Sequence, residues 1–317
     1  NHICNDTYMK YAIVFPGQGS QSLGMLSDLS SNFSIVKDIF SEASDALDLD
    51  LWKVVQEDEV ALNQTKNTQP AILAAGYATF KVLSNEVDLS PICMAGHSLG
   101  EYTALVAAKS LNYFEAVKLV RKRAELMQSA VPKGTGAMAA ILGLDDEKVI
   151  EICTQSNISG VVEAANFNSP GQVVIAGESD AVNKACESMK EAGAKRALVL
   201  PVSVPSHCSL MNHAAEEFSY SVDAVNIKMC DTGVLHNVDA SYADDINEIK
   251  LKLVEQLCKP VLWTSSVQKM QQLGVEKLIE LGPGKVLAGL TRRIDKSLSS
   301  HAVIDTATLQ STIKEIS

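Results

Sequence analysis

The stretch from residue 91 to residue 102 places a serine where it could act as a nucleophile. The segment Gly96-His-Ser-Leu-Gly100 follows a short apolar run and precedes an alanine-rich segment, which predicts a strand, a sharp turn and a helix that begins at Glu101. In this setting a Gly-x-Ser-x-Gly sequence is a nucleophile elbow, whose strained serine needs almost bare neighbouring positions. Ser98 would lie at the helix N-terminus, where free N–H groups can bind an oxyanion. The pentad alone would predict only a tight turn that contains a serine.

A serine is not activated alone, and the six histidines of the chain are the first candidates for a base. His207 lies in Val204-Pro-Ser-His-Cys-Ser209, on a loop within plausible reach of the elbow, and is the best candidate. The other five fit less well. One is near the N-terminus, one is in the elbow and directed away from the serine by alternation, one is at a helix start, and two are in apolar runs: His2, His97, His213, His236 and His301.

A predicted helix from about Phe114 to Ala130 carries a charge on its apolar face. At about 100° per residue, Arg123 falls among the apolar side chains, whereas the other polar residues gather on the opposite face. That polar face consists of Lys118, Arg121, Lys122, Glu125 and Gln128. A guanidinium directed toward a core is costly unless a carboxylate pairs with it. A structural ion pair, an arginine that reaches a rim and a site for an anionic substrate all remain open.

The composition sets limits on the class of protein. The chain has 317 residues, of which 46% are hydrophobic and 21% charged, which is ordinary for a globular protein with a sizeable core. The net charge of −11 argues against a general nucleic-acid binder, which would normally be basic.

The cysteines and the N-terminus bear on the compartment. Seven scattered cysteines without a Cys-x-x-Cys pair predict reduced thiols in a cytoplasmic protein and no zinc or other metal site. We expect neither a membrane span nor a signal peptide. Residues 1–8 are polar and are interpreted as an extraneous addition before a native start at Met9.

The elements around the elbow follow an α/β pattern. Tyr11–Phe15 is a continuous apolar run, typical of a strand buried in a parallel sheet, and it leads into the glycine-containing loop Pro16–Gln21. Helices are predicted at 33–56 and 71–83. After residue 204, the chain alternates strands and helices again; the strands are predicted at 234–238, 275–281 and 302–305, and the helices at 244–258, 264–273 and 285–294.

The segment 132–203 has a different order of elements. Its apolar runs and amphipathic stretches predict β-α-β-β-α-β, the ferredoxin-like order, so we expect a small inserted subdomain between 9–131 and 204–317. Within it, Ala165-Asn-Phe-Asn-Ser-Pro-Gly-Gln172 predicts a hairpin-like turn rich in amides. Asn168 either serves that turn or faces the cleft.

Taken together, these motifs resemble the malonyl-CoA:acyl carrier protein transacylases. The resemblance covers nearly the whole chain from Met9, in order and with similar spacing. It rests on Phe15–Gln21, Gly96–Tyr102, Arg121–Met127, Ala165–Gln172, the segment around His207, and Gln256-Leu-Cys-Lys-Pro-Val-Leu-Trp263. It implies an α/β-hydrolase-like core with a parallel sheet and an inserted ferredoxin-like α+β subdomain.

The resemblance also implies a role for each site residue. Ser98 matches the nucleophile and His207 its base, whereas the backbone N–H groups of Gln18 and Leu99 match the oxyanion hole. Arg123 matches the arginine that binds the malonyl carboxylate. Finally, Gln256 matches the position whose main-chain carbonyl orients the histidine. His97 fits the pattern of malonyl-specific members, although pocket shape decides between malonyl and methylmalonyl.

The implied chemistry is ping-pong acyl transfer through a malonyl-serine ester, for fatty acid elongation. The implied substrates are malonyl-CoA and phosphopantetheinylated acyl carrier protein, with no cofactor, and we expect a monomer. Because the carrier is acidic, docking needs basic residues. Two clusters are candidates, although solvated helix faces explain both slightly better: Lys118, Arg121 and Lys122; Lys190, Lys195 and Arg196.

Three rival functions remain to be weighed. A serine hydrolase would share the elbow, but its histidine normally lies near the C-terminus and it would have no use for Arg123. A discrete acyltransferase of a polyketide system would look much the same as the fatty acid enzyme. A non-catalytic carrier-binding module is disfavoured by the intact Ser98 and His207.

Overall fold

The computed structural model describes residues 8–155 and 157–317, so that most of the expected addition at 1–8 lies outside the described residues. Strands occupy β1 Tyr11–Phe15, β2 Met94–Gly96, β3 Gly136–Leu142, β4 Val162–Ser169, β5 Gln172–Glu178, β6 Arg196–Val199, β7 Val234–Leu235, β8 Lys277–Leu281 and β9 Ser299–Val303. The helices up to the second sheet are α1 Ser27–Asn32, α2 Ile35–Leu47, α3 Leu51–Glu57, α4 Glu59–Leu62, α5 Thr65–Glu86, α6 Gly100–Ala107 and α7 Tyr113–Ser129. The later helices are α8 Asp146–Cys153, α9 Ser179–Glu191, α10 Asn212–Ala224, α11 Ile246–Glu255, α12 Trp263–Gln272, α13 Val286–Ile294 and α14 Thr306–Ile316.

The larger sheet is parallel and has the order β7-β2-β1-β8-β9. Every residue of β1 is buried, which confirms the strand predicted at Tyr11–Phe15. Since all five strands run in the same direction, their carboxyl ends meet at one edge, where open α/β sheets bind ligands. The loops after β1, β2 and β7 therefore converge on one region.

The second sheet is antiparallel and has the order β4-β5-β3-β6. The chain passes through it as β-α-β-β-α-β, as the sequence predicts for 132–203. Helices α8 and α9 cover one face around a core of its own. The other face contributes Met138, Ala165 and Ala176 to a cluster with Cys208, beside the candidate base. The molecule is thus a mixed α/β fold with one parallel and one antiparallel sheet.

Two predicted helices have the wrong bounds. The prediction at 33–56 spans α2 and α3, which are separated where Asp48 takes the left-handed conformation and Asp50 caps α3. The helix predicted at 71–83 begins earlier, because Pro70 lies inside α5. Pro70 has no N–H for the carbonyl of Lys66, and that carbonyl instead accepts a hydrogen bond from Arg121 Nε at 2.8 Å.

Two further predictions about the strands are wrong. The amide-rich stretch at 165–172 is mostly strand, because β4 continues to Ser169 before a short turn. Two hydrogen bonds join this strand to Val261, in the segment between α11 and α12. The N–H of Phe167 donates to the carbonyl of Val261 at 3.0 Å, and the N–H of Val261 donates to the carbonyl of Ala165 at 2.8 Å. The strand predicted at 234–238 ends at Leu235, because the N–H of Asn237 bonds to Glu101 instead of a neighbouring strand.

Candidate active site

The elbow is a tight strand-to-helix turn between β2 and α6. Ser98 has φ +52°, a left-handed conformation that a serine rarely adopts. A Cβ on Gly96 would lie 1.9 Å from the backbone of Gly100, and one on Gly100 would lie 2.2 Å from the carbonyl oxygen of Phe15. Both glycines are therefore required by close backbone packing, as a nucleophile elbow needs.

Ser98 contacts a histidine whose second ring nitrogen is bonded to a main-chain carbonyl. Its Oγ lies 2.7 Å from Nε2 of His207, and Nδ1 of the same ring lies 2.7 Å from the main-chain oxygen of Gln256. Because a carbonyl oxygen can only accept, Nδ1 carries the proton and Nε2 is free to accept one from the serine. Burial, and then the positive charge of Arg123, lower the pKa of His207 to about 3. The ring is therefore neutral at physiological pH, as a general base must be.

The guanidinium of Arg123 lies buried beside the nucleophile. Its Nη2 is 3.3 Å from Ser98 Oγ, and the side chain is 1% exposed. Amide oxygens of Gln69 and Gln256 hold Nη1 and Nη2 at 2.9 Å each, and Nε has no partner among the described residues. Although burial lowers the pKa of Arg123, a guanidinium stays protonated. The pairing left open by the sequence is thus made with neutral amides.

The two predicted oxyanion donors flank Ser98. The N–H groups of Gln18, after β1, and of Leu99, at the start of α6, donate to no acceptor within residues 8–155 and 157–317. The Ser98 N–H, in contrast, is bonded to Asn237 Oδ1 at 2.9 Å. Free donors beside a nucleophile are what an oxyanion requires.

Asn237 is a site residue that the sequence reasoning missed. Its side chain accepts from the N–H of Ser98 and donates to the carbonyl of Gly96 at 2.7 Å, so that it bridges the two ends of the turn around His97. It also accepts from the side-chain amide of Gln256 at 3.1 Å. Its position just after a parallel strand was the available signal, because such positions supply site residues. Gln69 was missed because the segment before Pro70 was not assigned to a helix.

His97 and Asn168 interact with each other across the two sheets. His97 Nε2 lies 2.7 Å from Oδ1 of Asn168, and His97 lines the same cavity as Ser98. The expectation that alternation turns His97 away from the serine is wrong, because the left-handed backbone at Ser98 breaks the alternation of a strand. Asn168 itself positions His97, and the neighbouring Asn166 lines the cavity.

A cavity of about 340 Å³ opens in front of Ser98. One wall belongs to the parallel-sheet side and includes Gln18, Thr65 and His97, and the other to the antiparallel sheet and the segment 200–204. Arg123 is not a lining residue, but its Nη2 reaches to 3.3 Å from Ser98 Oγ. The site is thus a cleft between the two sheets, with Ser98 and His207 in its lining.

A carboxylate of the small sheet fastens the loop that carries the base. Glu163 of β4 accepts hydrogen bonds from the N–H and the hydroxyl of Ser209, two residues after His207. His207 itself has φ +63°. The antiparallel sheet therefore holds a strained backbone segment in place rather than only covering the cleft.

The two basic clusters differ in their partners. In the first, Lys118 pairs with Glu115 at 3.2 Å and Arg121 bonds to α5, so these charges serve the protein itself. In the second, Lys195 and Arg196 are exposed and share a groove with Arg293 of α13. None of these three forms an ion pair with another residue in the part of the chain that the structure describes.

Among the described residues, no helix is both long enough and apolar enough to cross a bilayer.

A strained serine, hydrogen-bonded to a histidine above a parallel sheet, is typical of enzymes that carry an acyl group on serine. The comparisons with known proteins agree with this class. The sequence model of the acyl transferase domain family matches residues 12–314. A malonyl CoA-acyl carrier protein transacylase of Haemophilus influenzae is 53% identical over 300 residues, covering 94% of this chain and 96% of its own.

Solved structures give the same result. An acyl carrier protein S-malonyltransferase from Vibrio cholerae is 53% identical, with a TM-score of 0.93 over 96% of this chain and 99% of its own. A malonyl-transacylase solved with a holo type II PKS acyl-carrier protein is 48% identical, with a TM-score of 0.95 over 96% of this chain and 99% of its own. The chain therefore belongs to the acyl transferase family and, within it, to the malonyl CoA-acyl carrier protein transacylases.

Proposed function

We propose that this chain transfers the malonyl group from malonyl-CoA to the phosphopantetheine thiol of an acyl carrier protein, through a malonyl ester of Ser98. The observation that carries the proposal is the buried guanidinium of Arg123, 3.3 Å from the hydroxyl of Ser98. A hydrolase of neutral esters has no use for a cation there, whereas an acyl group with a free carboxylate does.

In the first half-reaction, His207 Nε2 takes the proton of Ser98 Oγ while that oxygen attacks the thioester carbonyl. The N–H groups of Gln18 and Leu99 receive the resulting oxyanion, where losing one donor typically costs about 100- to 1,000-fold in rate. The C–S bond then breaks, and the imidazolium returns its proton to the sulfur of CoA. The malonyl group remains as an ester on Ser98.

The second half-reaction repeats these steps with a different thiol. His207 removes the proton of the phosphopantetheine sulfhydryl and the sulfur attacks the ester carbonyl. The bond between the acyl carbon and Ser98 Oγ then breaks, and the imidazolium gives the proton to that oxygen. The main-chain oxygen of Gln256 holds the imidazole throughout and stabilises its charged form. The position of Ser98 in the cleft between the sheets supports transfer to a thiol rather than to water, because an ester inside a cleft is partly shielded from solvent. Side chains, backbone and substrates account for every step, so the proposal invokes no cofactor.

Docking of an acidic carrier is assigned to the groove formed by Lys195, Arg196 and Arg293. These exposed cations have no ion-pair partners within the described ranges, whereas Lys118 and Arg121 of the first cluster bond to residues of their own protein. An unpaired basic patch on an acidic protein steers an acidic partner to one place.

The fatty acid pathway is the proposed setting, and a polyketide carrier is a second acceptor. The relative solved with a type II PKS carrier protein favours it, since 48% identity extends over nearly both chains. The same Ser98 ester would serve either acceptor, because both present a phosphopantetheine thiol. Comparing transfer to a carrier of each type measures the difference directly.

The finer description of the architecture is also part of the proposal. We assign 9–131 and 204–317 to an α/β-hydrolase-like core and 132–203 to a ferredoxin-like subdomain. The strand order β4-β5-β3-β6 with two helices on one face supports the latter. A monomer in the cytoplasm, away from the membrane, completes the proposal. The free cysteines among the described residues are consistent with a reducing compartment.

The testing experiment is a transfer assay with malonyl-, methylmalonyl- and acetyl-CoA and an acyl carrier protein. We expect malonyl transfer to dominate, with a labelled malonyl ester that disappears in Ser98→Ala. Release of free malonate without transfer would indicate a hydrolase instead. An adduct that persists in Ser98→Ala would contradict the assignment of the nucleophile.

A further inference from the structure

The two groups that hold Arg123 are amides in a place where a carboxylate would bind more strongly. We propose that Gln69 and Gln256 are uncharged anchors, which fix Arg123 while leaving its charge for the carboxylate of the acyl group. They would thereby set the preference for malonyl over uncharged acyl groups. The inference rests on the proposed function and adds positioning residues that determine its specificity.

Hydrogen bonds fix the orientation of both amides. Nε2 of Gln256 donates to the carbonyl of Ser98 at 2.8 Å and to Asn237 Oδ1 at 3.1 Å, which turns its oxygen toward Arg123. Nε2 of Gln69 lies 3.9 Å from the thioether sulfur of Met127, which leaves its oxygen for the other guanidinium nitrogen. Each amide oxygen accepts from a different nitrogen at 2.9 Å, so the plane of the guanidinium is set.

Both anchors are buried, and no carboxylate competes with them. Gln69 is 1% exposed and Gln256 is fully buried. Within the described residues, Arg123 forms no ion pair. The charge of Glu101 acts on the guanidinium, but the two groups form no ion pair, and Glu101 Oε1 accepts the N–H of Asn237.

The physical reason for amides lies in the strength of a buried ion pair. A carboxylate in place of either amide would form a short, charge-assisted pair with Arg123 and neutralise it before substrate arrives. The malonyl carboxylate would then have to displace an internal anion. Two neutral acceptors bond to part of the guanidinium without cancelling its charge. The contact between Arg123 Nη2 and Ser98 Oγ is long, at 3.3 Å, so a substrate carboxylate could replace it.

The testing variant is Gln69→Glu, which adds a charge at nearly constant volume. Gln69 bonds to Arg123 and Met127 rather than to Ser98 or His207, so the chemistry itself is left in place. We expect the ratio of kcat/KM for malonyl-CoA to that for acetyl-CoA to fall about 10- to 100-fold, the range of a hydrogen bond to a charged group. The loss should appear mainly as a higher KM for malonyl-CoA.

Gln69→Met is the matched control, because it removes the acceptor without adding charge. We expect the malonyl-to-acetyl ratio to fall in the order wild type, Gln69→Met, Gln69→Glu, with the methionine variant lowered about threefold to tenfold by the loss of one anchor. If Gln69→Glu does not fold, as judged by thermal melting, a lowered ratio in Gln69→Met supports the anchoring role and an unchanged ratio overturns it.

The result that overturns the inference is an equal loss of malonyl and acetyl transfer in both variants, which would make Gln69 a purely structural residue. A ratio in Gln69→Glu at or above that of Gln69→Met would also overturn it. Failure of the wild-type chain to form a malonyl ester would instead contradict the proposed function, so the two failures are distinguished by the wild-type reaction in the same assay.

Discussion

Arg123 Nη2 lies 3.3 Å from Ser98 Oγ, which places a permanent charge beside the candidate nucleophile. The same charge contributes to lowering the pKa of His207, because the imidazolium would be a second cation in a buried space. A substrate carboxylate bound to Arg123 would relieve this repulsion. Binding of the acyl group and activation of the base are therefore physically connected.

Replacing Arg123 by alanine is expected to remove the recognition of the free carboxylate. Two charge-assisted hydrogen bonds of at least about 1.5 kcal/mol each correspond to a loss of about 100-fold or more in kcat/KM for malonyl-CoA. Acetyl transfer should fall much less, since acetyl has no carboxylate. Steady-state rates with both CoA esters measure the ratio. Lys122→Ala, an exposed position on the same helix, is the control, and an unchanged ratio in Arg123→Ala would reject the role.

The depressed pKa of His207 predicts a specific acid sensitivity. His207 is neutral when folded down to about pH 3, whereas in the unfolded chain it takes up a proton below about pH 6.5. Acidification from pH 7 to pH 5 therefore favours unfolding by about 2 kcal/mol through this residue. Urea unfolding of the wild type and of His207→Gln at both pH values isolates the difference. Equal acid sensitivity of the two proteins would contradict the prediction.

The same property predicts how the first half-reaction depends on pH. Because His207 does not gain a proton in this range, kcat/KM for malonyl-CoA should show no acid limb from it between pH 5 and pH 8. A base with the ordinary histidine pKa would lose half of its activity near pH 6.5. Single-turnover acylation across this range, at malonyl-CoA concentrations well below saturation, reports the free enzyme and distinguishes the two cases.

Asn237→Ala is expected to loosen the elbow. The substitution leaves the half-buried N–H of Ser98 and the buried carbonyl of Gly96 without the partner that Asn237 provides, at a cost of up to about 1–3 kcal/mol for each unpaired group. Both the free energy of unfolding and the rate of acylation should fall. Asn226→Ala, on the exposed surface, is the control and should change stability by less than about 0.5 kcal/mol. A wild-type acylation rate in Asn237→Ala would show that the contact is dispensable.

Reversing charges in the basic groove should weaken carrier docking. Arg196→Glu and Arg293→Glu are expected to raise KM for the carrier about tenfold, and the effect should shrink at high salt because exposed charges are screened. Lys118→Glu is the matched control in the first cluster. Loading of Ser98 from malonyl-CoA, followed separately, identifies the step affected. Equal effects of reversal in both clusters would indicate a general charge effect rather than docking at this groove.

Much of the fold was predictable from local patterns, because burial and turn chemistry leave a direct trace in sequence. The buried strand Tyr11–Phe15 has the predicted bounds, and the β-α-β-β-α-β order of 132–203 was correct. The wrong bounds arose where long-range contacts override local signals. Pro70 looks like a helix break, yet the carbonyl it leaves free is satisfied by Arg121 from another helix.

By itself, the sequence determined that there is an elbow at Ser98 and a charge on the apolar face of the helix at Arg123, because glycine spacing and periodicity are local properties. Only the tertiary structure decided what these residues meet. The carbonyl that bonds to His207 belongs to the backbone, which has no residue signature, and the amides of Gln69 and Asn237, which bond to Arg123 and Ser98, come from segments far away in the chain. A hydrogen bond depends on distance and direction in space, and the chain fixes these only when it is folded.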